Sequence, residues 1–411
     1  MKCCAGRAVA MFESGFYFGT GWSLLQLVFT AIVLTYNPLA VYQTFLIASS
    51  LLHKDGDYLA RQTPLVKSNR AIVVITTNGL ATDVVEMIIA KIRGYGLPLG
   101  RDGDGIFVIK EERDKFVYSC RMITVPSGYV SGNRSRNKMR ALQYGIEWLH
   151  RNGYGKETYV CHLDDDSVVD REYLDYVIHY LRAEGAQGCI RLRMFGRHTI
   201  SSLSDIIRIS NCEAWCKHCN RRSRPQFVHG EGLVVRADIE YEIGWDYATY
   251  GAEDLIMGLE ISKRYRFDYI PTGHIFIAPP TSVTDYYKQR RRWFWSIFKN
   301  DGKVRALSPK TYLIYMYMYL AGMSGLLGLI LFPTLVTAGV DIPPVILFLS
   351  IMNFVFFMLY YQFGAFENND LWCALALLVL QVPVSFYEGF TSVYALIRPP
   401  DFQVFETIKK V

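Results

Sequence analysis

Long apolar stretches at both ends of the chain constrain its fold more than any other feature. Residues 16–36 contain no charged residue and are about long enough to cross a bilayer. Residues 39–52 continue after Asn37-Pro38, and 312–340, 343–366 and 371–397 follow near the other end. With 51% hydrophobic residues overall, the excess is concentrated at the ends, which points to membrane segments. The Asn37-Pro38 break predicts a transmembrane hairpin over residues 1–56. Lys2 and Arg7 precede it, and Lys54, Arg61, Lys67 and Arg70 follow it. The positive-inside rule then expects the N-terminus and the central region in the cytoplasm. Residues 1–10 lack a small-residue cleavage pattern, so the anchor is expected to stay uncleaved. Three crossings over 311–411 would put Arg398, Lys409 and Lys410 outside, against that rule. A break at Pro383, followed by a re-entrant or interfacial helix over 384–397, would remove the conflict. Glu388 is then either a functional acid inside the membrane or an interfacial group.

Between these ends the pattern is that of an α/β domain, expected over 57–281. Residues 71–77 are a continuous apolar, β-branched run ending in Asn78-Gly79, as in a buried parallel strand. A helix is expected over 82–93, strands over 105–109 and 122–125, a helix over 134–150, and a strand over 158–163. Alternation with short connections favours a doubly wound sheet. Residues 282–310 read as an amphipathic helix at the membrane interface.

The net charge of +6 is moderate and no extended basic arm exists, which argues against nucleic acid and for a membrane-facing surface or a phosphate-bearing ligand. Nine cysteines show no secreted disulfide spacing, so reduced thiols are expected. Cys212, Cys216, His218 and Cys219 have a spacing comparable with zinc ligands, and His218 or His229 would supply a fourth. Clustered thiols on a helix are also often unliganded.

Four features carry the chemistry. Asp164-Asp165-Asp166 ends the 158–163 strand, and three adjacent like charges gain from a divalent cation, although a solvated acidic turn is the competing reading. His229-Gly230-Glu231-Gly232 is a turn whose small residues let backbone approach a ligand. Glu253-Asp254 opens a helix, where plain acidic first turns are common. Gln289-Arg290-Arg291-Arg292-Trp293 offers guanidinium forks to phosphate, or to lipid headgroups.

In this order, with apolar segments on both sides, the features resemble the membrane-embedded family 2 glycosyltransferases. Cellulose, chitin and hyaluronan synthases share the Asp-x-Asp motif, the later Glu-Asp pair and Gln-x-x-Arg-Trp. The Egghead-like β-1,4-mannosyltransferases are more similar still. That likeness runs through Asn137-Lys138-Met139-Arg140-Ala141-Leu142-Gln143-Tyr144, His162-Leu163-Asp164, Gly230-Glu231-Gly232-Leu233, Ala252-Glu253-Asp254, Gln289 to Trp293, and Arg398-Pro399-Pro400 with Lys409-Lys410.

The resemblance spans residue 71 onward and implies a cytoplasmic GT-A (Rossmann-like) domain in a multi-pass membrane protein. The membrane would be the plasma membrane in a prokaryote and the ER or Golgi in a eukaryote. It implies Mg²⁺ or Mn²⁺ on Asp166 with Asp164 as partner; Asp165 departs from many relatives. Donor contacts are expected from Thr76, Glu111, Lys138, Asp164, Asp165 and Arg292. Asp254 is the expected general base, kept ionised by its place at a helix start. Glu253, Gln289, Arg292 and Trp293 complete the catalytic group, with Gly230, Glu231, Gly232 and Trp293 on the acceptor side. The implied reaction is an inverting, metal-dependent transfer of mannose from GDP-mannose to a glycolipid or oligosaccharide hydroxyl, forming a β-linkage. The alternatives are a processive synthase using UDP-glucose or UDP-N-acetylglucosamine, and a non-catalytic nucleotide-binding membrane scaffold. The sequence is silent on oligomeric state.

Overall fold

The computed structural model describes residues 17–18, 22–101, 103–194, 198–300 and 302–402. Residues 1–10, whose lack of a cleavage pattern is the ground for an uncleaved anchor, with Lys2 and Arg7, and the basic pair Lys409-Lys410 lie outside the described residues.

The first apolar stretches form one helix, α1 (Leu24–Leu52), instead of a hairpin. Its start is fixed by a capping box in which Ser23 and Gln26 exchange side-chain-to-backbone hydrogen bonds. Pro38 sits inside the helix, where side chains of neighbouring helices donate to carbonyls of the turn before it. The Tyr317 hydroxyl donates to the Thr35 carbonyl at 2.8 Å, and the Asn353 amide donates to the Val33 carbonyl at 3.1 Å. The Asn37 amide donates to Asn353 Oδ1 at 2.9 Å. A proline that signals a turn in isolation is tolerated in a membrane helix that is packed and bonded to its neighbours.

The central domain follows as β1 (Arg70–Thr76), α2 (Thr82–Arg93), β2 (Ile106–Glu111), β3 (Arg121–Val125), α3 (Asn137–Arg151), β4 (Thr158–Asp164), α4 (Arg171–His179), β5 (Gly185–Gln187), β6 (Val234–Arg236), α5 (Glu253–Arg264) and β7 (Phe267–Tyr269). The sheet order is β7-β5-β6-β4-β1-β2-β3. β1, β2, β3 and β4 are mutually parallel as expected, whereas β6 runs antiparallel to both β4 and β5.

β1 is apolar from Ala71 to Ile75 because both of its faces are covered there. Ala71, Val73 and Ile75 pack with Val85, Ile88 and Ile92 of α2 and with Val177 of α4. Ile72 and Val74 point the other way, to Met139, Leu142 and Ile146 of α3 and to Leu255 of α5. The register pairs Thr76 with both Asp164 and Ile109. The carboxyl ends of β1, β2 and β4 therefore form one edge, the place where open α/β sheets take ligands.

After the sheet come α6 (Val283–Phe298), α7 (Pro309–Thr337), α8 (Pro344–Glu367) and α9 (Leu371–Ile397). Among the described residues, α1, α7, α8 and α9 are long and apolar enough to cross a membrane. Phe29 stacks on Phe332, and Tyr36 meets Phe357, so α1 packs between α7 and α8.

α9 is unbroken through Pro383, contrary to the expected break. Its first turn is tied to the central domain by Asp370 and His198, 2.9 Å apart. Its far end is tied to α6, where Trp295 Nε1 donates to the Ala395 carbonyl at 2.8 Å and Arg291 donates to the Arg398 carbonyl. Tyr287 packs on Tyr387 as well, so residues 384–397 run alongside the amphipathic α6.

Candidate active site

The strand edge delivers the acidic cluster. Asp164 is the last residue of β4, and Asp165 and Asp166 form the following turn. Each acid has a different neighbour. Asp164 Oδ1 accepts from Lys138 Nζ at 2.7 Å, Asp165 Oδ2 accepts from the Thr77 hydroxyl at 3.2 Å, and Asp166 Oδ1 accepts from Ser167 at 3.2 Å. Arg193 holds the turn by donating to the Asp166 carbonyl at 2.7 Å.

Lys138 enters from the first turn of α3. The loop ahead of it is fixed by Asp246, whose carboxylate accepts from the backbone N–H of Asn133 at 2.6 Å and of Ser135 at 3.3 Å. The ammonium also lies 3.9 Å from Asp254 Oδ1 and 4.0 Å from Glu253 Oε1. Burial alone would depress the lysine's pKa, but Asp164, Asp254 and Glu253 outweigh it and raise it well above the ordinary value.

Asp254 sits in the first turn of α5, which starts after Ala252 in a left-handed conformation, φ 63°. Its pKa is raised well above the usual carboxylate range, first by burial; Lys138 opposes this, while Glu253, Asp164 and Glu231 add to it. Burial among these acids thus works against the helix start, which the sequence expects to keep the group ionised.

Gly230 faces the same point. A Cβ there would lie 2.6 Å from Lys138 Nζ and 2.7 Å from Asp254 Oδ1, so a larger residue would push these two side-chain ends from their positions. Gly232 has φ +69°, and its added Cβ would strike Ile275. Glu231, between them, accepts from Arg208 Nη2 at 3.1 Å.

The Gln289 to Trp293 run lies on α6, and its arginines go three ways. Arg292 lines the cavity. Arg291 turns to the Arg398 carbonyl and the Tyr394 ring. Arg290 is buried, 3.1 Å from Asp205 and 3.4 Å from Glu388, which also accepts from the Tyr286 hydroxyl. Gln289 is buried, and its Oε1 has no hydrogen-bond partner among the described residues. Trp293 is flanked by two guanidinium groups, Arg208 at 5.0 Å and Arg290 at 4.7 Å from ring centroids.

Sequence reasoning missed Arg208, Asp205 and Arg193, and it named Arg290 without its buried partners Asp205 and Glu388. The available signal was the Asp205-x-x-Arg208 spacing, which also fits any exposed helical ion pair. Glu111, expected at the donor, lines the cavity, and Arg140 holds both its carboxylate oxygens, at 2.7 and 2.6 Å.

One cavity of about 2090 Å³ joins these groups. Thr76, Lys138, Asp164, Asp165, Asp166 and Asp254 line its polar end. Tyr36, Phe332, Phe354, Phe357 and Val382, from α1, α7, α8 and α9, line the other. The polar end offers carboxylate oxygens suited to a hard divalent cation, and cationic side chains suited to a diphosphate.

The expected thiol cluster is redrawn. Cys212 and Cys216 lie on a π-helical turn, Asn211–Cys216, and meet His229. Cys219 packs instead with Leu39 and Leu46 of α1, and His218 bonds Ser49.

Known proteins share parts of this chain. The β-1,4-mannosyltransferase egh of Drosophila melanogaster is 24% identical over 54% of the chain and 51% of its own length. The β-1,4-mannosyltransferase bre-3 of Caenorhabditis elegans is 24% identical over 43% of the chain and 40% of its own. The chain thus spans about half or less of the curated relatives that it matches. A solved structure, the mannosyltransferase PcManGT from Pyrobaculum calidifontis in complex with GDP-Man and Mn²⁺, aligns with a TM-score of 0.49 and 14% identity, over 91% of this chain and 98% of that one. A family model described as Glycosyl transferase family group 2 matches residues 159–367, from the strand that carries the acids to the end of α8. That match covers just over half of the chain, and the chain belongs to this family.

Proposed function

We propose that this protein is an inverting, metal-dependent glycosyltransferase that moves mannose from GDP-mannose to a hydroxyl of a lipid-linked or saccharide acceptor, forming a β-linkage. The observation that carries the reading is one cavity with Lys138, Asp164 and Asp254 among its lining residues and, beside them, aromatic side chains of α1, α7 and α8 together with Val382 of α9. A sugar nucleotide suits the first group, and an acceptor with an apolar tail suits the second. The choice of mannose rests on the β-1,4-mannosyltransferase relatives. We place the central domain on the cytoplasmic face, with the apolar helices in the bilayer.

We assign Asp166 and Asp164 as the side chains that would hold Mg²⁺ or Mn²⁺. The ion would supply charge neutralisation at the departing diphosphate. Lys138 and Arg292 add positive charge to the same leaving group. Asp254 takes the proton of the acceptor hydroxyl as its oxygen attacks the anomeric carbon from the face opposite the diphosphate. One displacement inverts the anomeric centre. The raised pKa fits this role, because the protonated product carboxyl is the form that the site favours. Gln289, buried with a free Oε1 among the described residues, is placed to accept from a sugar or acceptor hydroxyl. Trp293 and the Gly230–Glu231–Gly232 turn form the acceptor side.

Membranes containing the protein, incubated with labelled GDP-mannose, UDP-glucose and UDP-N-acetylglucosamine, test this. Metal-dependent transfer from GDP-mannose supports the proposal. Transfer from a UDP-sugar alone would replace the donor, and no turnover of any sugar nucleotide would sink the enzymatic reading.

A further inference from the structure

We propose that Cys212, Cys216 and His229 form a binding site for zinc, separate in chemistry from the carboxylate site beside it. Their ligand atoms all lie within 4.8 Å of one another. The Cys212 Sγ to His229 Nε2 separation is 3.5 Å. Tetrahedral zinc, with bonds of about 2.3 Å to sulfur and about 2.0–2.1 Å to nitrogen, places those two atoms about 3.5 Å apart.

The second ring nitrogen has two polar neighbours, one of them Gln187 Nε2 at 3.0 Å. His229 Nδ1 lies 3.0 Å from the Glu231 carbonyl. Donation of an Nδ1–H there leaves the Nε2 lone pair facing Cys212. A metal-bound histidine usually donates its other N–H to a carbonyl or carboxylate in this way.

The backbone supports the same grouping. A regular α-helix would also bring residues i and i+4 to one face, but here Asn211–Cys216 widens into a π-helical turn, a form frequent at functional sites. Both thiols are buried, and Gln187 donates to the carbonyls of His229 and Glu231, fixing the opposite strand of the site. Cys212, Cys216 and His229 all line the large cavity, so a fourth position opens towards it for water or a ligand hydroxyl. Three protein ligands with one open position is the arrangement of zinc sites that keep an exchangeable ligand. Soft thiolates prefer zinc over the Mg²⁺ or Mn²⁺ suited to Asp164 and Asp166. When loaded, the site would clamp the helix of Cys212 to the turn carrying Glu231. It does not depend on the sugar or nucleotide proposed above.

The test uses the full chain purified in detergent. Zinc is measured after zinc loading and desalting, and cobalt is then substituted and read by thiolate-to-cobalt charge transfer in the near ultraviolet. The proposal expects about one zinc per chain. Loss of at least tenfold is expected in the Cys212→Ser/Cys216→Ser double variant and in His229→Ala, with retention in Cys219→Ser, His218→Ala and Asp166→Ala. Wild-type protein with under about a tenth of an equivalent, or without the charge-transfer band, overturns the proposal whether or not any variant folds. So does equal loss in Cys219→Ser.

Discussion

The Lys138 ammonium stands 2.7 Å from Asp164 and also reaches within 3.9 Å of Asp254. One cation thus links the strand-end acid to the candidate base. Lys138→Met should leave four carboxylates facing one another and a leaving diphosphate without its partner. Calorimetry with GDP should then show affinity weakened by at least about tenfold. Unchanged affinity would remove Lys138 from the donor site.

Asp254→Asn separates catalysis from binding. Transfer should fall by about 10²–10⁴-fold while GDP affinity stays near wild type. Retained turnover would move the base elsewhere. The same variant carries a stability prediction. The carboxyl has a folded pKa above its unfolded value, so its ionised form opposes folding once the pH exceeds the unfolded value. Asp254→Asn should therefore melt higher than wild type at pH 8, and the gain should vanish in acid, where wild type is protonated in both states. A lower melting temperature at pH 8 would contradict the raised pKa.

The pH dependence of transfer follows from the same group. A general base must be ionised, so kcat/KM should decline as pH falls through the raised Asp254 pKa, an acid limb lying above that of an ordinary aspartate. Rates in buffered detergent, at constant metal and ionic strength, check it. A flat profile down to the usual carboxylate range would refute it.

Trp293 depends on planar partners. Arg208→Lys keeps the charge beside Glu231 but loses the guanidinium face over the indole. The acceptor KM should rise by about tenfold with the donor KM within twofold. An equal change in both would mean a general disturbance of the fold.

The sheet and its edge were legible because a central parallel strand must be apolar on both faces, as Ala71 to Ile75 are. The acids at the end of β4 announced themselves by their mutual repulsion. The hairpin was misread because Pro38 lacks an N–H, and nothing local shows that Tyr317 and Asn353 donate to the carbonyls nearby. Burial was the other hidden quantity. It makes Asp254 hard to ionise, and it turns Arg208, Asp205 and Arg290 from an ordinary helical charge pattern into a buried network.

That reading of Pro38 is itself testable. In a continuous helix Pro38→Ala restores a backbone hydrogen bond, so the melting temperature should stay level or rise. A clear fall would indicate that the proline shapes a turn after all.

Glu388 holds Arg290, which stacks on Trp293, yet it follows Asp254 by 134 residues. Domains generally fold in the order in which they are made. During synthesis, then, the strand edge with its acids can assemble long before α9 leaves the ribosome. A nascent chain at that stage has the acidic strand edge and lacks the carboxylate that braces Arg290 beside Trp293.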